Sequence, residues 1–462
     1  MLIEFSVTNY RSFKDRVTLS MEASADKSHL ENTFQPEGGN YPRLLKATAI
    51  YGANASGKSN LVKALLFMKE YVLASHIMPE GRVGTDWLKK EYVLTTHIFT
   101  EGRDRTAKVP IPFKLDHETE HQPSTFEIEF IAKGERYRYQ FTVDGERVHH
   151  ERLLNTTVKK KLVFERVGDG TITFGSSWKH RSSQQLLQQF ILNAPKTLVV
   201  SAGATFQAEM TQPVYMWFFF KTYFILDESD VAGEKQFTLD LLEADENFRK
   251  LFHRFLQAAD LGIEQFDHRR INAGHPEEIK SIPTRMLDKL ITQLPDDARP
   301  TDYLFEHFST IHRLPDGTTV KFDPEEDESA GTNRLLSLAG PWYMSIVTGS
   351  TLVVDELELR LHPLLIKFLV QLTLDAPASQ LIFTTHDSSL LDSKILRRDQ
   401  IWFTEKKPET GATDLYSLWD INLKKSVRNS ENFRRGYLQG RYGAIPFIGE
   451  LNFAENAVVE SA

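Results

Sequence analysis

Gly52-Ala53-Asn54-Ala55-Ser56-Gly57-Lys58-Ser59 fits the pattern G-x-x-x-x-G-K-[ST] without a gap. In such a loop the glycines let backbone N–H groups turn toward a phosphate, the lysine reaches the β- and γ-phosphate oxygens, and the serine hydroxyl binds Mg²⁺. An apolar run over 47–51 precedes the loop, and apolar residues at helical spacing follow it. We therefore predict a strand, a phosphate-binding loop and a helix. The predicted nucleotide-binding residues of this segment are Gly52, Asn54, Ser56, Gly57, Lys58, Ser59 and Asn60.

Length and composition set wide limits on the rest of the chain. The 462 residues suffice for one large domain with an insertion, or for two to three ordinary domains. A net charge of -8 does not favour a protein that coats nucleic acid or an anionic membrane. The absence of cysteine excludes a disulfide framework and thiolate metal sites, and it fits a reducing compartment. The first residues lack the layout of a signal peptide, so we predict a cytoplasmic protein.

One uncharged run, residues 335–354, is about as long as a membrane span requires. It contains Gly340-Pro341 and Gly349, and it ends directly at Asp355-Glu356. We interpret it as a buried helix that leads into a buried strand, and we predict no membrane association.

Two carboxylates follow that strand. Asp355 and Glu356 come directly after the apolar residues 351–354, where a strand end can deliver acids to a bound Mg-nucleotide. We predict that Asp355 binds Mg²⁺ and that Glu356 orients and polarises the attacking water. Glu358 lies close by, and its role stays open.

Two further segments complete the predicted site. The apolar strand 380–384 leads to His386, whose imidazole could hydrogen-bond the γ-phosphate and respond to hydrolysis. Ser329-Ala330-Gly331 opens the apolar helix described above. Ser329 can cap that helix, and the free N–H groups beside it would form a second anion site at a helix N-terminus.

In this order, the loop, the Ser-x-Gly helix start, the Asp-Glu strand and the terminal histidine resemble the ABC-type ATPase heads of the SMC, RecF and OLD groups. The resemblance implies an α/β P-loop NTPase fold with a mixed β-sheet flanked by helices. It implies ATP and Mg²⁺ as ligands, and hydrolysis of ATP to ADP and phosphate with Lys58, Glu356 and His386 as catalytic residues. It also implies a homodimer or higher homo-oligomer, in which Ser329 and Gly331 of one chain close on the nucleotide held by another.

Motifs near both ends tighten the resemblance. Asn9-Tyr10-Arg11-Ser12-Phe13 resembles the N-terminal turn of RecF-like and SMC-like heads, which implies that Arg11 approaches the nucleotide. Leu361-His362-Pro363, Thr384-Thr385-His386-Asp387, and the segments 397–403 and 436–446 together resemble RloA-like, abortive-infection ATPases of the AAA family. This second resemblance implies a role in phage defence with a separately encoded effector, such as a Toprim-type nuclease or a toxin. In the signature-like segment, Ala330 and Thr332 differ from the transporter pattern. No residue can be assigned to the glutamine loop, although 110–115 is its expected region.

The middle of the chain is predicted as an insertion into this head. We divide the chain into 1–90, with the phosphate-binding loop; 91–180, a β-rich continuation; 181–300, a mainly helical insertion; and 301–462, with the signature-like segment, the acids and His386. Hairpins are predicted at Lys133-Gly134-Glu135 and at 168–170. The apolar stretch 214–226 is interpreted as a buried element at the foot of the insertion rather than a partner-binding surface.

Several functions stay open at this point. The leading hypothesis is an ATPase whose nucleotide-driven dimer closure switches an antiviral effector. The alternative is a DNA-repair or DNA-structural ATPase of the RecF/SMC type, although no long coiled-coil heptad is present. An OLD-like protein with its own nuclease is a third possibility, but few residues follow His386. Basic residues between Lys394 and Arg441, and Lys159-Lys160-Lys161, leave nucleic-acid binding open.

Overall fold

The computed structural model describes residues 1–76, 109–226, 231–259, 261–272, 304–421 and 432–446. Within these ranges the strands are β1 (Leu2–Thr8), β2 (Val17–Ser20), β3 (Thr33–Phe34), β4 (Leu44–Leu45), β5 (Ala47–Tyr51), β6 (Ser124–Ala132), β7 (Glu135–Val143), β8 (Val148–Asn155), β9 (Lys161–Val167), β10 (Ile172–Phe174), β11 (Thr222–Ile225), β12 (Ile263–Asn272), β13 (Leu304–Arg313), β14 (Thr319–Phe322), β15 (Thr351–Val354), β16 (Gln380–Thr384), β17 (Ile401–Lys406) and β18 (Thr413–Ser417). The α-helices of the same ranges are α1 (Lys58–Ala74), α2 (Arg181–Asn193), α3 (Val199–Thr205), α4 (Gln212–Phe220), α5 (Val231–Ala244), α6 (Glu246–Ala258), α7 (Ala330–Thr348), α8 (Pro363–Asp375) and α9 (Phe433–Leu438).

A six-stranded sheet carries the predicted site. Its strand order is β11-β15-β16-β5-β17-β18, with every neighbouring pair parallel except β17 and β18. The parallel strands read as continuous apolar runs because both faces of this sheet are covered. Since parallel strands end at the same edge, β5, β15 and β16 bring residues 52–59, 355–358 and 386 together.

A second sheet is antiparallel and packs on the other side of helix α1. Its order is β10-β9-β8-β7-β6-β1-β2. The two predicted hairpins are confirmed: β6 pairs with β7 across Lys133-Gly134, and β9 pairs with β10. Alternating apolar side chains of these strands share one core with α1 and with the central sheet. The α/β prediction is therefore confirmed as two sheets with α1 buried between them.

The segment predicted as a helical insertion contributes a strand to the central sheet. Residues 214–226 are buried, as expected, but they form α4 and β11, and β11 pairs in parallel with β15. The pairing of β11 with β15 was not predicted, because strand order depends on contacts distant in sequence. The boundaries at 90, 180 and 300 stay a prediction.

Helices α5 and α6 pack with a three-stranded sheet of order β12-β13-β14. The two helices bury apolar side chains in one shared core, although they are separate elements. Asp245 caps α6, because its carboxylate accepts the N–H groups of Asn247 and Phe248. Leu251 of α6 is exposed.

The uncharged run before Asp355 forms the predicted buried helix and strand. Helix α7 ends at Thr348 and is capped by Gly349 in the left-handed conformation, and β15 begins at Thr351. Most of the side chains of α7 from Thr332 to Trp342 are buried in the protein core. Across the described residues, no helix has both the length and the apolar character that a membrane span needs.

Candidate functional site

The phosphate-binding loop lies between β5 and α1, and the hairpin of β17 and β18 supports it. The hydroxyl groups of Ser56 and Thr404 lie 2.6 Å apart, and Thr413 Oγ1 donates to the Ser56 carbonyl at 2.8 Å. Gly57 has φ 117°, a conformation that favours glycine, and a Cβ there would lie 2.5 Å from Thr413 Oγ1. The loop is thus shaped by close packing against the hairpin.

Lys58 begins helix α1 and is buried, with 5% of its surface exposed. Its Nζ donates to the carbonyls of Gly52 (2.9 Å) and Ala53 (3.1 Å), so the ammonium lies across the loop. Burial lowers the pKa of Lys58, and three nearby carboxylates oppose that shift. These belong to Glu358, Asp355 and Glu356.

Ser59 and Asp355, the two residues predicted to bind Mg²⁺, lie within hydrogen-bond distance of each other. Ser59 Oγ donates to Asp355 Oδ1 at 3.2 Å, and Thr384 Oγ1 donates to the same oxygen at 2.5 Å. A hydroxyl and a carboxylate are hard oxygen donors, the type that Mg²⁺ prefers. Within the described residues there is no group of three or more histidine, aspartate or glutamate side chains that could hold a metal.

Glu356 turns the chain away from β15. Its φ is 51°, in the left-handed region that is uncommon for a residue with a side chain. Its N–H donates to Thr384 Oγ1 at 2.8 Å, and the next N–H, of Leu357, donates to the Thr384 carbonyl at 3.0 Å. Backbone strain of this kind concentrates at functional sites, where the surroundings hold it in place. Glu356 is half-buried beside the buried Asp355.

His386 lies at the end of β16, at the same edge as these acids. Its backbone N–H donates to Glu358 Oε1 at 2.5 Å. Desolvation and the Lys58 ammonium lower the pKa of His386, whereas the carboxylates of Glu358, Glu356 and Asp355 act in the opposite direction. The imidazole is therefore close enough to the lysine and to the acids for their charges to affect it, and its contact with a γ-phosphate stays a prediction.

The signature-like helix start lies on the surface. Ser329 caps α7 by accepting the N–H of Thr332 at 3.0 Å, and Ser329 and Ala330 are exposed. Gly331 packs against the turn that follows the acids, because a Cβ there would lie 2.8 Å from the Arg360 carbonyl oxygen. In the described part of the chain, no hydrogen bond joins Ser329 or Gly331 to residues 52–60.

Arg11 lies in the N-terminal turn but bonds elsewhere. Its N–H donates to the Ile111 carbonyl at 2.7 Å, and its Nε donates to Tyr10 Oη at 3.3 Å. The turn contacts the loop helix through Ser12, whose Oγ accepts from Asn60 Nδ2 at 2.9 Å. The role of Arg11 toward a nucleotide stays a prediction.

Three residues that the sequence did not single out support the loop: Ser12, Thr404 and Thr413. Ser12 was visible only as part of a quoted motif. Thr404 and Thr413 lie on β17 and β18, where a hydroxyl within a strand has no local signature of its own. Only the pairing of β17 beside β5 brings them to the loop.

The basic segment 394–441 is less available than its composition indicated. Arg397 is buried and pairs with Asp399, and Arg398 pairs with Asp26. Three of its other cations fall in 422–431, outside the described residues. Nucleic-acid binding by this segment stays a prediction, as does binding by residues 159–161.

The chain matches the family described as "AAA domain, putative AbiEii toxin, Type IV TA system" over residues 47–194 and 223–392. These ranges include the phosphate-binding loop, the signature-like helix start, both acids and His386. The chain belongs to this family of AAA ATPase domains. The predicted relationship to abortive-infection ATPases of the AAA family is thereby confirmed. No curated protein matches the chain.

Solved structures similar to the chain include SMC heads. One is an SMC head bound to the C-winged helix domain of ScpA, with 13% identity, a TM-score of 0.40, and 90% of this chain and 97% of that one covered. The SMC head domain from Thermotoga maritima has 12% identity and a TM-score of 0.37, with 90% and 98% covered. An Smc head with an extended coiled coil, bound to the C-terminal domain of ScpA and derived from Pyrococcus furiosus, has 14% identity and a TM-score of 0.36, with 90% and 96% covered.

Proposed function

We propose that this chain binds ATP with Mg²⁺ and hydrolyses it to ADP and phosphate. The main support for the proposal is the pair of hydrogen bonds that Ser59 and Thr384 donate to Asp355. They connect the phosphate-binding loop with the acid-bearing strand. Family membership supports the same conclusion, since the matched ranges contain all three of these residues.

Each residue has a distinct role in the proposed reaction. Lys58 would exchange its two carbonyl partners for phosphate oxygens and neutralise part of their charge. Ser59 and Asp355 would hold Mg²⁺, which supplies further charge neutralisation when bound. Glu356 would accept a proton from the attacking water and orient it, in the turn that Thr384 fixes. His386 would donate a hydrogen bond to the γ-phosphate.

We further propose that the site is completed by a second copy of the chain. Ser329 and Ala330 are exposed and form no hydrogen bond to the loop of their own chain within the described residues. Among the described residues, no acceptor is given for the N–H groups of Ala330 and Gly331 at the start of the 19-residue helix α7, and such groups can bind an anion. A nucleotide held between two chains would contact the phosphate-binding loop of one chain and the start of α7 of the other, so ATP would promote a homodimer.

The cellular role that we propose is control of a separately encoded effector in antiviral defence, in the cytoplasm. Support comes from the family description, which names an abortive-infection toxin and a type IV toxin–antitoxin system. A Toprim-type nuclease or a toxin is the proposed effector class. The DNA-repair alternative gains no specific support, since the longest helix among the described residues has 19 residues and none forms a coiled-coil arm.

Phosphate release by the purified chain tests the enzymatic proposal. The wild-type chain with ATP and Mg²⁺ is expected to release phosphate, and Lys58→Ala is expected to release none above background. A wild-type chain that binds ATP but releases no phosphate would contradict hydrolysis. Co-purification with the product of the adjacent gene, with and without ATP, tests the effector proposal separately.

A further inference from the structure

Glu358 joins the two loops that carry the acids and His386. Its Oε1 accepts the His386 N–H at 2.5 Å. The neighbouring N–H groups have other partners: Thr385 donates to the Ile50 carbonyl at 3.1 Å, and Asp387 donates to Thr385 Oγ1 at 3.0 Å. Without Glu358, the His386 N–H would lose the acceptor that ties it to the acid-bearing turn.

Only one of the two carboxylate oxygens of Glu358 is hydrogen-bonded within the described residues. Oε2 is buried and accepts no hydrogen bond from any residue that the structure describes. A carboxylate kept for packing alone would have both oxygens paired or exposed, because an unpaired buried oxygen is costly.

The turn that contains Glu358 is fixed at both ends. Thr384 holds its start by accepting the N–H of Glu356, and the Arg360 carbonyl at its far end lies against Gly331 of the signature-like helix start. The reach of the Glu358 side chain therefore decides where the His386 backbone lies relative to the acids.

We propose that Glu358 is a positioning residue for hydrolysis: its carboxylate fixes the His386 backbone, and through it the imidazole, beside Asp355 and Glu356. This role rests on the proposed ATPase function. It assigns a task to a carboxylate that the sequence left open.

Two conservative variants distinguish the effect of the length of the Glu358 side chain from the effect of its charge. Glu358→Asp keeps the charge but shortens the side chain by one methylene, so it cannot keep the same hydrogen bond. Glu358→Gln keeps the length and offers an amide oxygen to the same N–H. We expect Glu358→Asp to lower kcat by ~10- to 100-fold, because small misplacements of reacting groups are this costly, with KM for ATP unchanged. Glu358→Gln is expected to retain most of kcat.

Hydrogen exchange followed by mass spectrometry gives a readout that does not depend on turnover. The peptide that contains His386 should exchange faster in Glu358→Asp than in the wild type, and at the wild-type rate in Glu358→Gln. Glu405→Asp is the matched control, because Glu405 also accepts a backbone N–H, that of Ala444, at 3.0 Å. This control should leave kcat and the His386 peptide unchanged.

The outcomes distinguish this role from the function on which it rests. A wild-type chain that binds ATP and releases no phosphate overturns the ATPase function and this role with it. A wild-type chain that releases phosphate, while Glu358→Asp keeps the same kcat and the same exchange rate, overturns the role of Glu358 alone. Equal losses in Glu358→Asp and Glu358→Gln would also overturn it, as would a KM that rises in parallel. If Glu358→Asp does not fold, Glu358→Ala replaces it with the same expected loss of kcat and faster exchange, and a large kcat loss in Glu358→Gln overturns the role.

Discussion

Charged side chains have different hydrogen-bond partners in the antiparallel sheet and at the edge of the central sheet. In the antiparallel sheet, buried Glu129 accepts from Arg136 at 2.5 Å and Arg138 at 2.6 Å. At the carboxyl edge of the central sheet, Lys58 donates to two carbonyl oxygens instead of a carboxylate, and Glu358 Oε2 accepts nothing from the described residues. We infer that charges paired within the protein serve stability, whereas the Lys58 ammonium at the central edge is available to phosphate oxygens.

The largest expected effect is on the central edge, where Glu356→Gln should abolish most hydrolysis. Loss of the proposed general base is expected to lower phosphate release by ~10²- to 10⁴-fold, while ATP binding persists. Phosphate release at saturating ATP and equilibrium binding of ATP measure the two effects. Turnover at the wild-type rate would show that Glu356 is not the general base. It would also weaken the proposed functional difference between the two sheets.

Ser329→Glu should separate nucleotide binding from dimer formation. A glutamate at a helix N-terminus is favourable for the helix, but it would repel the γ-phosphate of a partner-held nucleotide. The ATP-dependent dimer is expected to weaken at least ~100-fold, since like charges in an interface cost several kcal/mol. Light scattering with and without ATP measures this. Asn432→Asp adds an acid at another helix cap and is the control; equal dimerisation by Ser329→Glu and this control would contradict the interface.

In the antiparallel sheet, Glu129→Gln should affect stability and leave catalysis intact. Loss of charged hydrogen bonds to two arginines is expected to lower the free energy of unfolding by about 2 kcal/mol. Denaturation in urea measures the stability, and kcat of the folded variant should equal that of the wild type. A change in kcat without a change in stability would contradict a purely structural role for Glu129.

The same residue gives a pH dependence with a definite sign. Burial alone would raise the pKa of Glu129, but Arg138 and Arg136 hold it below its ordinary value. The stabilisation is therefore present above the unfolded pKa of ~4.3 and is lost as the pH falls through the folded value. Glu129→Gln should show less loss of stability than the wild type on acidification below that point. Parallel curves for the two proteins would show that Glu129 does not contribute.

Thr413→Ala should have the smallest effect of these substitutions. We expect this effect on the affinity for the nucleotide. It removes the hydrogen bond to the Ser56 carbonyl, which supports the phosphate-binding loop. Loss of about 1 kcal/mol would raise KM for ATP by ~5-fold. Steady-state kinetics measure this, and an unchanged KM with a lower melting temperature would place Thr413 among the purely structural contacts.

The parts of the site that the sequence predicted are those with local chemistry. The glycine-rich loop, the Asp-Glu strand end and His386 each follow an apolar strand, so their positions could be predicted from neighbouring residues. The support from Thr404 and Thr413, and the place of β11 beside β15, depend on strand pairing between distant segments. Apolar residues continue at helical spacing across Asp245. The sequence pattern therefore did not show that α5 and α6 are two separate helices.

The central claim is that one site needs two chains, and a complementation assay tests it most directly. Lys58→Ala lacks a working loop but keeps Ser329, whereas Ser329→Glu keeps the loop but lacks a working helix start. Each variant alone should be inactive. In an equal mixture, random pairing gives mixed dimers with one intact site, so phosphate release should recover to about a quarter of the wild-type rate. A mixture as inactive as its two components would contradict a site shared between chains.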